Sequence, residues 1–278
     1  MKVLIVGSGG REHALVWKIS QSKRVDKIFA APGNPGTGSL AENVDIKPTS
    51  IIELADFAQA EKIDLTVVGP EHPLALGIVD EFNSRHLKIF GPTQKAAMIE
   101  TSKSFAKEFM NKNNIPTPAF KTITSAADAM DHFRSASFPL VIKADGLAAG
   151  KGVYICQKKS EAEEGIKEIM LDGKFGKSGE RVVIEEFLTG QEMSFMVISD
   201  GKRIIPLATA MDYKKALDND KGPNTGGMGA ISPAPQISRE LFNTIMKSII
   251  EPTIAGLRFE NKKYKGVLYA GLMVTRDG

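Results

Sequence analysis

A lysine followed by a glycine-rich turn is the segment of the sequence with the clearest chemical potential. Lys143 closes an apolar run, and the turn that follows, 144–152, contains Gly146, Gly150 and Gly152 before a second apolar run. This is not a P-loop, because Gly152 stands where that motif needs Ser or Thr and no helix follows. The spacing favours a hairpin whose N–H groups cover a triphosphate while Lys143 balances its charge, over an ordinary glycine hairpin.

A second glycine turn, 7–10, lies between the apolar run 3–6 and a helical pattern. Backbone N–H groups at such a helix start form a seat for an anion, and Arg11 would strengthen it for a phosphate. A dinucleotide fingerprint is not present, because Glu12 replaces its third glycine and no acidic residue stands at 30–33. For this motif alone, phosphate binding and a tight strand-to-helix turn are equally good interpretations.

Two polar loops, 32–36 and 69–73, follow the second and third predicted strands. In a parallel sheet such loops gather with the glycine turn 7–10 at the carboxyl edge, where ligands bind. Asn34 and Glu71 could bond sugar hydroxyls there, although each alone is also ordinary turn chemistry.

Acidic residues at the end of a later apolar run are candidates for nucleotide contacts. Glu185 and Glu186 precede a short linker that can pair its backbone with an adenine edge, and Glu192 could reach a ribose. Such residues are usually solvated, but their position after Lys143 favours the nucleotide. The stretch 213–229 is rich in Gly, Asn, Asp and Lys, and we predict a long substrate loop there.

The predicted elements divide the chain near Gly91-Pro92. Before this point, short apolar runs alternate with helix-length segments, which predicts a parallel sheet with strands 2–6, 27–30, 64–68 and 88–90 and helices 12–20, 51–60 and 74–84. After it, the pattern predicts helices over 102–113, 126–134, 161–170 and 239–257. The strands predicted there are one near Phe120 and those over 140–143, 153–156, 182–186, 193–199, 203–209 and 267–275.

Length and composition exclude several classes of protein. The 278 residues suggest two or three domains, and 36 Lys and Arg against 33 Asp and Glu leave too small a surplus for a nucleic-acid partner. A single cysteine excludes internal disulfides, and four histidines without a paired spacing argue against zinc. No apolar stretch approaches the ~20 residues that span a bilayer. We expect a cytoplasmic monomer with no membrane partner.

The motifs at 7–14, 32–36, 69–71, 143–152, 185–188 and 223–229 occur in an order that closely resembles the glycinamide ribonucleotide synthetase family of ATP-grasp enzymes. The resemblance covers essentially the whole chain. It implies an α/β protein with an N-terminal parallel-sheet, Rossmann-like substrate domain over 1–101. An ATP-grasp α+β core over 102–278 would follow, with a small lid at 119–188 that closes on ATP.

The resemblance also implies roles for individual residues. Those expected at ATP are Lys103 and Lys143 on the phosphates, Asp145, Gly146, Gly150 and Gly152 in the covering turn, Glu185, Glu186 and Leu188 at the adenine, and Glu192 at the ribose. Those expected at phosphoribosylamine are Gly9, Gly10, Arg11, Asn34, Gly36 and Glu71. Those expected in catalysis are Lys143, Asp212, Lys214, Asn224, Thr225 and Gly226.

The reaction implied is ATP-dependent joining of glycine to 5-phosphoribosylamine through glycyl phosphate, with Mg²⁺ or Mn²⁺. The family continues past Gly278 with a strand bearing a Glu-x-Asn magnesium pair and a C-terminal domain. The resemblance therefore implies a truncated chain whose metal ligands lie beyond its last residue. Alternatives are another ATP-grasp carboxylate–amine ligase or, for this fragment, an ATP-binding module without turnover; Glu12 disfavours a dehydrogenase.

Overall fold

The computed structural model describes residues 1–148, 151–218, 221–235 and 237–276, and the chain divides into two compact units. Unit 1 comprises Met1–Met98 with Leu257–Gly266, and unit 2 comprises Ile99–Gly256 with Val267–Gly278. Within the described ranges, no helix combines the length and the apolar character that crossing a membrane requires.

Unit 1 contains a five-stranded parallel sheet in the order β3-β2-β1-β4-β5. The strands are β1 (Lys2–Gly7), β2 (Lys27–Pro32), β3 (Glu42–Asn43), β4 (Leu65–Val68) and β5 (Ile89–Phe90). Leu4 and Val6 pack into one apolar cluster, while Val3 and Ile5 pack into a second. Because successive side chains of a strand point to opposite faces, β1 is buried on both, as its continuous apolar run predicts.

The helices of unit 1 begin with α1 (Gly10–Ser20) and α2 (Ile51–Ala60). The single helix predicted over 74–84 is wrong, because the structure has α3 (Glu71–Ala75) and α4 (Ile78–Ser84) there. Gly77 lies between them with φ of +87°, a left-handed conformation that ends one helix and that glycine adopts without strain. Helix α5 (Gln94–Thr101) follows β5.

Unit 2 begins with α6 (Lys103–Lys112) and an antiparallel four-stranded sheet in the order β6-β9-β7-β8. Its elements are β6 (Phe120–Ile123), α7 (Ala126–His132), β7 (Leu140–Ala144), β8 (Val153–Cys156), α8 (Lys159–Ile166) and β9 (Val182–Glu186). Side chains from α7, α8 and one face of the sheet share a buried core that includes Phe133, Ile142 and Ile166. This core fixes the strands from which the predicted ATP residues project.

A second sheet, in the order β11-β10-β14, contains β10 (Gln191–Asp200), β11 (Ile204–Pro206) and β14 (Lys265–Val274). The long loop predicted over 213–229 is wrong. Strands β12 (Met211–Leu217) and β13 (Lys221–Ile231) form an antiparallel ladder there. The segment is rich in glycine and lysine, which have low strand propensity, and it lacks the apolar alternation that indicates a strand. The two strands are held together by a backbone ladder with two register shifts. Helices α9 (Arg239–Ile245) and α10 (Glu251–Phe259) are joined by a π-helical turn, Met246–Ile250.

Candidate active site

Asp145 ties the glycine turn to the start of α6. Its carboxylate accepts hydrogen bonds from the Ser104 N–H at 2.6 Å and from the hydroxyls of Ser104 at 3.0 Å and Ser102 at 3.2 Å. The Ser102 hydroxyl in turn accepts the Phe105 N–H at 3.2 Å. Helix N-termini leave N–H groups unpaired and favour negative charge, so both side chains act as caps. The Asp145 carboxylate, predicted to contact ATP, is thus engaged with the helix.

Lys103 is the first residue of α6 and lies against the same turn. Its backbone N–H donates to the Asp145 carbonyl at 3.0 Å, and its ammonium donates to the Gly146 carbonyl at 2.9 Å. Burial lowers the pKa of Lys103, and the charge of Asp145 offsets part of that effect. The Lys103 ammonium is thus held against the glycine turn by a carbonyl group of that turn.

Glu185 is the most deeply buried carboxylate of this region and is shared by two lysines. Its Oε2 atom lies 2.8 Å from Lys143 Nζ and 3.1 Å from Lys107 Nζ, and its side chain is 3% exposed. Its Oε1 atom is also buried but has no hydrogen-bond partner among the described residues. A buried carboxylate oxygen without a partner is costly. A ligand that donates a hydrogen bond at this point would satisfy it.

Strands β7 and β8 pair in the antiparallel arrangement predicted for them. Lys143 pairs with Val153 across the two strands, and the Ala144 N–H donates to the Gly152 carbonyl at 2.8 Å. A Cβ at Gly146 would overlap the Ser178 side chain, so close approach requires glycine there. Gly150, predicted to contact ATP, lies outside the described residues.

The linker side of β9 holds the other two residues predicted at the adenine. Glu186 is exposed, and its Oε1 accepts the Ala119 N–H at 2.7 Å. The Glu186 N–H donates to the Ala119 carbonyl at 3.0 Å. Leu188 is half-buried just beyond the strand. The carboxylate of Glu186 is therefore used to hold the chain before β6.

Lys214 on β12 joins residues predicted separately for the ribose and for acyl transfer. Its ammonium lies 3.2 Å from a Glu192 carboxylate oxygen and 3.4 Å from an Asp212 oxygen. Burial alone would lower the pKa of Lys214, but these two carboxylates raise it above its ordinary value. The Thr225 hydroxyl donates to the Lys214 carbonyl at 2.9 Å, which fixes β13 against β12.

The remaining residues of this predicted loop are less defined. Gly226 lies on β13, and a Cβ placed there would meet no described atom within 4 Å. Asn224 pairs with Lys215 in the backbone ladder, but its side chain lies outside the described part of the chain.

In unit 1, Arg11 and Glu71 are paired. The Arg11 guanidinium lies 3.1 Å from Glu71 Oε1 and donates to the Gly69 carbonyl at 2.7 Å. The Arg11 side chain is 60% exposed. These two of the residues predicted at phosphoribosylamine thus begin the helices that follow β1 and β4, at the carboxyl ends of neighbouring parallel strands.

The Glu12 side chain fills the space between three glycines. Its carboxylate accepts the Gly9 N–H at 2.6 Å, and a Cβ at Gly7 or Gly69 would overlap it. Glu12 is 4% exposed. The residue that replaces the third glycine of a dinucleotide fingerprint therefore provides an internal anion for the turn.

Asn34 connects the glycine turn 7–10 to the polar loop 32–36, to which it belongs. Its amide donates to the Ser8 carbonyl at 2.9 Å, and its side-chain oxygen accepts the Gly36 N–H at 2.8 Å. A Cβ at Gly36 would overlap the His13 ring, whereas one at Gly10 would meet nothing within 4 Å. The Asn34 side chain is thus engaged in joining the two loops.

Comparison with known proteins resolves the family. The family model described as phosphoribosylglycinamide synthetase, ATP-grasp (A) domain, matches residues 101–278, and that described as phosphoribosylglycinamide synthetase, N domain, matches residues 1–100. The chain belongs to the phosphoribosylglycinamide synthetase family. The resemblance stated from the sequence is confirmed.

Members of this family from several bacteria match the entire chain. The phosphoribosylamine–glycine ligase of Allochromatium vinosum is 52% identical over 280 aligned residues, and that of an Escherichia coli O6:H1 strain is 51% identical. Each alignment covers 100% of this chain and 65% of the relative. The chain thus spans about two thirds of the length of the curated relatives it matches.

Solved structures agree with this assignment. The crystal structure of phosphoribosylamine–glycine ligase from Thermotoga maritima aligns with 99% of this chain and 66% of its own, with a TM-score of 0.86 and 34% identity. A biotin carboxylase domain from Hydrogenobacter thermophilus aligns with 100% of this chain and 61% of its own, with a TM-score of 0.75 and 15% identity, which shows a shared fold alone. The predicted fold class is confirmed.

Two buried residues of the candidate site were not predicted from the sequence. Lys107 was missed because a lysine within a helix is normally solvated; its spacing of one turn from Lys103 was the available signal. Glu12 was noted only as a departure from the dinucleotide pattern. Among the described residues, no group of three or more His, Cys, Asp and Glu could hold a metal ion.

Proposed function

We propose that the full-length protein joins glycine to 5-phosphoribosylamine at the expense of ATP, giving glycinamide ribonucleotide, ADP and phosphate in purine biosynthesis in the cytoplasm. The observation that supports ATP binding is the buried Oε1 atom of Glu185, which has no hydrogen-bond partner among the described residues. The other oxygen of the same carboxylate pairs with the ammonium of Lys143. The 6-amino group of adenine would supply the missing donor. The identity to named ligases supports the choice of substrates.

ATP would bind to unit 2. Lys103 and Lys143 would contact the phosphates, and the turn containing Gly146 and Gly152 would cover them with N–H groups. Glu186 and Leu188 would border the adenine from the linker after β9, and Glu192 would bond the ribose. The lid over 119–188 would exclude water from the reacting groups.

In the first step, a glycine carboxylate oxygen attacks the γ-phosphorus and the bond to the ADP oxygen breaks, giving glycyl phosphate. In the second, the amine of phosphoribosylamine attacks the carbonyl carbon, loses a proton and expels phosphate. Residues of this chain act by positioning and by neutralising charge. Asp212, Lys214, Asn224, Thr225 and Gly226 would border the acyl-transfer site.

Phosphoribosylamine would bind to unit 1, near Gly9, Gly10, Arg11, Asn34, Gly36 and Glu71. Arg11 would exchange part of its pairing with Glu71 for the phosphate of the substrate, since guanidinium matches both anions. We expect Mg²⁺ or Mn²⁺ to accompany ATP.

Phosphate release from ATP in the full-length protein tests the proposal. Release should require both glycine and phosphoribosylamine, and Lys143→Met should weaken ATP binding about tenfold or more through loss of a charged contact. Lys121→Met, an exposed lysine on β6, is the matched control. Turnover that ignores both substrates, or that requires a different amine, would favour another ATP-grasp ligase; ATP binding without turnover would favour a binding module.

A further inference from the structure

Lys107 lies in the interior of unit 2, where a lysine is uncommon. Its side chain is 8% exposed, and its ammonium lies 3.1 Å from Glu185 Oε2. It also donates to the Thr117 hydroxyl at 2.8 Å and lies 5.9 Å from the centre of the Phe120 ring. Because the ammonium is buried and already contacts these groups, we expect Lys107 to act through its neighbours.

Lys103 and Lys107 have different environments although they lie one helical turn apart on α6. The Lys103 ammonium reaches the glycine turn, whereas that of Lys107 reaches β9. Burial lowers the pKa of Lys107, and the Glu185 carboxylate offsets part of that effect. An ion pair this deeply buried often contributes little to the free energy of unfolding. We therefore consider whether Lys107 fixes the position of Glu185.

The two lysines bound to Glu185 are not equivalent. Lys143 is 29% exposed and projects from β7 beside the glycine turn, so it can move toward phosphate. Lys107 is held by Thr117 and α6 and has no such freedom. With Lys143 alone, the carboxylate could rotate to follow that lysine and turn Oε1 away from its position. A second, fixed ammonium on Oε2 prevents this rotation.

We propose that Lys107 is a positioning residue that holds Glu185 so that Oε1 stays aimed at a purine with a 6-amino group. This inference rests on the proposed function. A 6-amino group donates a hydrogen bond to the carboxylate, whereas a 6-oxo group presents lone pairs to it and is repelled. Lys107 therefore sets the selectivity for the nucleotide base.

The test compares binding of ATP and of inosine triphosphate, which carries a 6-oxo group, by calorimetry on the full-length protein. Lys107→Met should lower the ratio of the two affinities about tenfold, the worth of one charged hydrogen bond. Lys107→Arg, which keeps the charge, should retain most of the ratio. Lys112→Met, on an exposed position of the same helix, is the matched control.

An unchanged ratio in folded Lys107→Met would overturn the inference. If that variant fails to fold, Thr117→Val decides, since it removes only the second anchor of Lys107. It should lower the ratio in the same direction, and an unchanged ratio would again overturn the inference. Glu185→Gln isolates the proposed function: wild-type protein that does not bind ATP, or an unaltered ratio in Glu185→Gln, would contradict the adenine contact itself.

Discussion

The carboxylate of Asp145 lies 2.6 Å from the backbone nitrogen of Ser104 and accepts its hydrogen. Asp145 belongs to the turn after β7, and Ser104 belongs to the first turn of α6. Two segments 41 residues apart in sequence are thus joined where α6 begins, next to Lys103. This cap holds the start of α6, and with it Lys103, against the glycine turn.

Removing the cap should cost stability. Asp145→Ala should lower the free energy of unfolding of unit 2 by about 1–2 kcal/mol, the usual cost of losing a helix cap. Urea unfolding measures it. Asp131→Ala, at an exposed position on α7, should cost much less, and equal losses in the two variants would contradict the capping role.

The same residue should influence the pH dependence of ATP binding. Burial lowers the pKa of Lys103 and the charge of Asp145 opposes this, while Lys143 lowers the pKa and Glu185 raises it. Asp145→Asn removes one raising charge, so the lysine should lose its proton at lower pH. ATP affinity, measured from pH 7 upward, should therefore start to fall at a lower pH than in wild-type protein. If ATP affinity falls over the same pH range in Asp145→Asn as in wild-type protein, Lys103 does not contact ATP.

Arg11 should matter for one substrate only. Arg11→Met should raise KM for phosphoribosylamine about tenfold or more while leaving KM for ATP nearly unchanged, because the guanidinium lies among the loops of unit 1. Steady-state kinetics of full-length protein measure both constants. Arg24→Met, a change at an exposed position, provides the comparison. A parallel rise in both constants would contradict the assigned role.

Because of the position of the Glu12 side chain, we expect alanine substitution at two glycines to affect stability differently. Gly69→Ala should destabilise unit 1 by about 1–3 kcal/mol, because the new Cβ would overlap the Glu12 carboxylate. Gly10→Ala, where no described atom lies within 4 Å, should be tolerated. In a Glu12→Ala background the loss of stability caused by Gly69→Ala should be smaller. Thermal unfolding of wild-type protein, Glu12→Ala, Gly69→Ala and the double variant tests this coupling. Strictly additive losses would refute it.

Cys156 should be protected from reagents and should make stability depend on pH. Burial raises the pKa of its thiol to about 11, above the value of 9.0 for an exposed thiol. Alkylation at pH 8 should therefore be slow until the protein unfolds. Because the folded pKa is raised, this contribution to stability is complete below pH 9 and is lost as the pH rises toward 11. Cys156→Ala should remove the loss of stability that ionisation of this thiol causes. The free energies of unfolding of wild-type protein and Cys156→Ala, each measured as a function of pH, give this difference.

Local sequence pattern was sufficient for much of the fold. The apolar run of β1 indicated a strand buried on both faces, and Lys143 with its glycines indicated the hairpin between β7 and β8. The pairing of β12 with β13 was not predictable, because backbone hydrogen bonds hold it without an apolar alternation.

The sequence was less informative about the candidate site. It indicated which residues gather at strand ends, but not which carboxylates the protein uses for its own structure. Asp145 caps a helix, Glu186 holds a backbone N–H and Glu12 fills a glycine turn. Lys107 was invisible because its partner, Glu185, lies 78 positions away along the chain. Such contacts depend on the tertiary structure, which spacing along the chain does not encode.

In the proposed reaction, the carboxylate of glycine is phosphorylated before the amine attacks. Full-length protein should be given ATP, phosphoribosylamine and glycine labelled with ¹⁸O in its carboxylate, and the released phosphate should be analysed by mass spectrometry. One labelled oxygen should appear in each phosphate, because the carboxylate oxygen bonded to phosphorus leaves with it. Phosphate without label, released together with glycinamide ribonucleotide, would contradict the account.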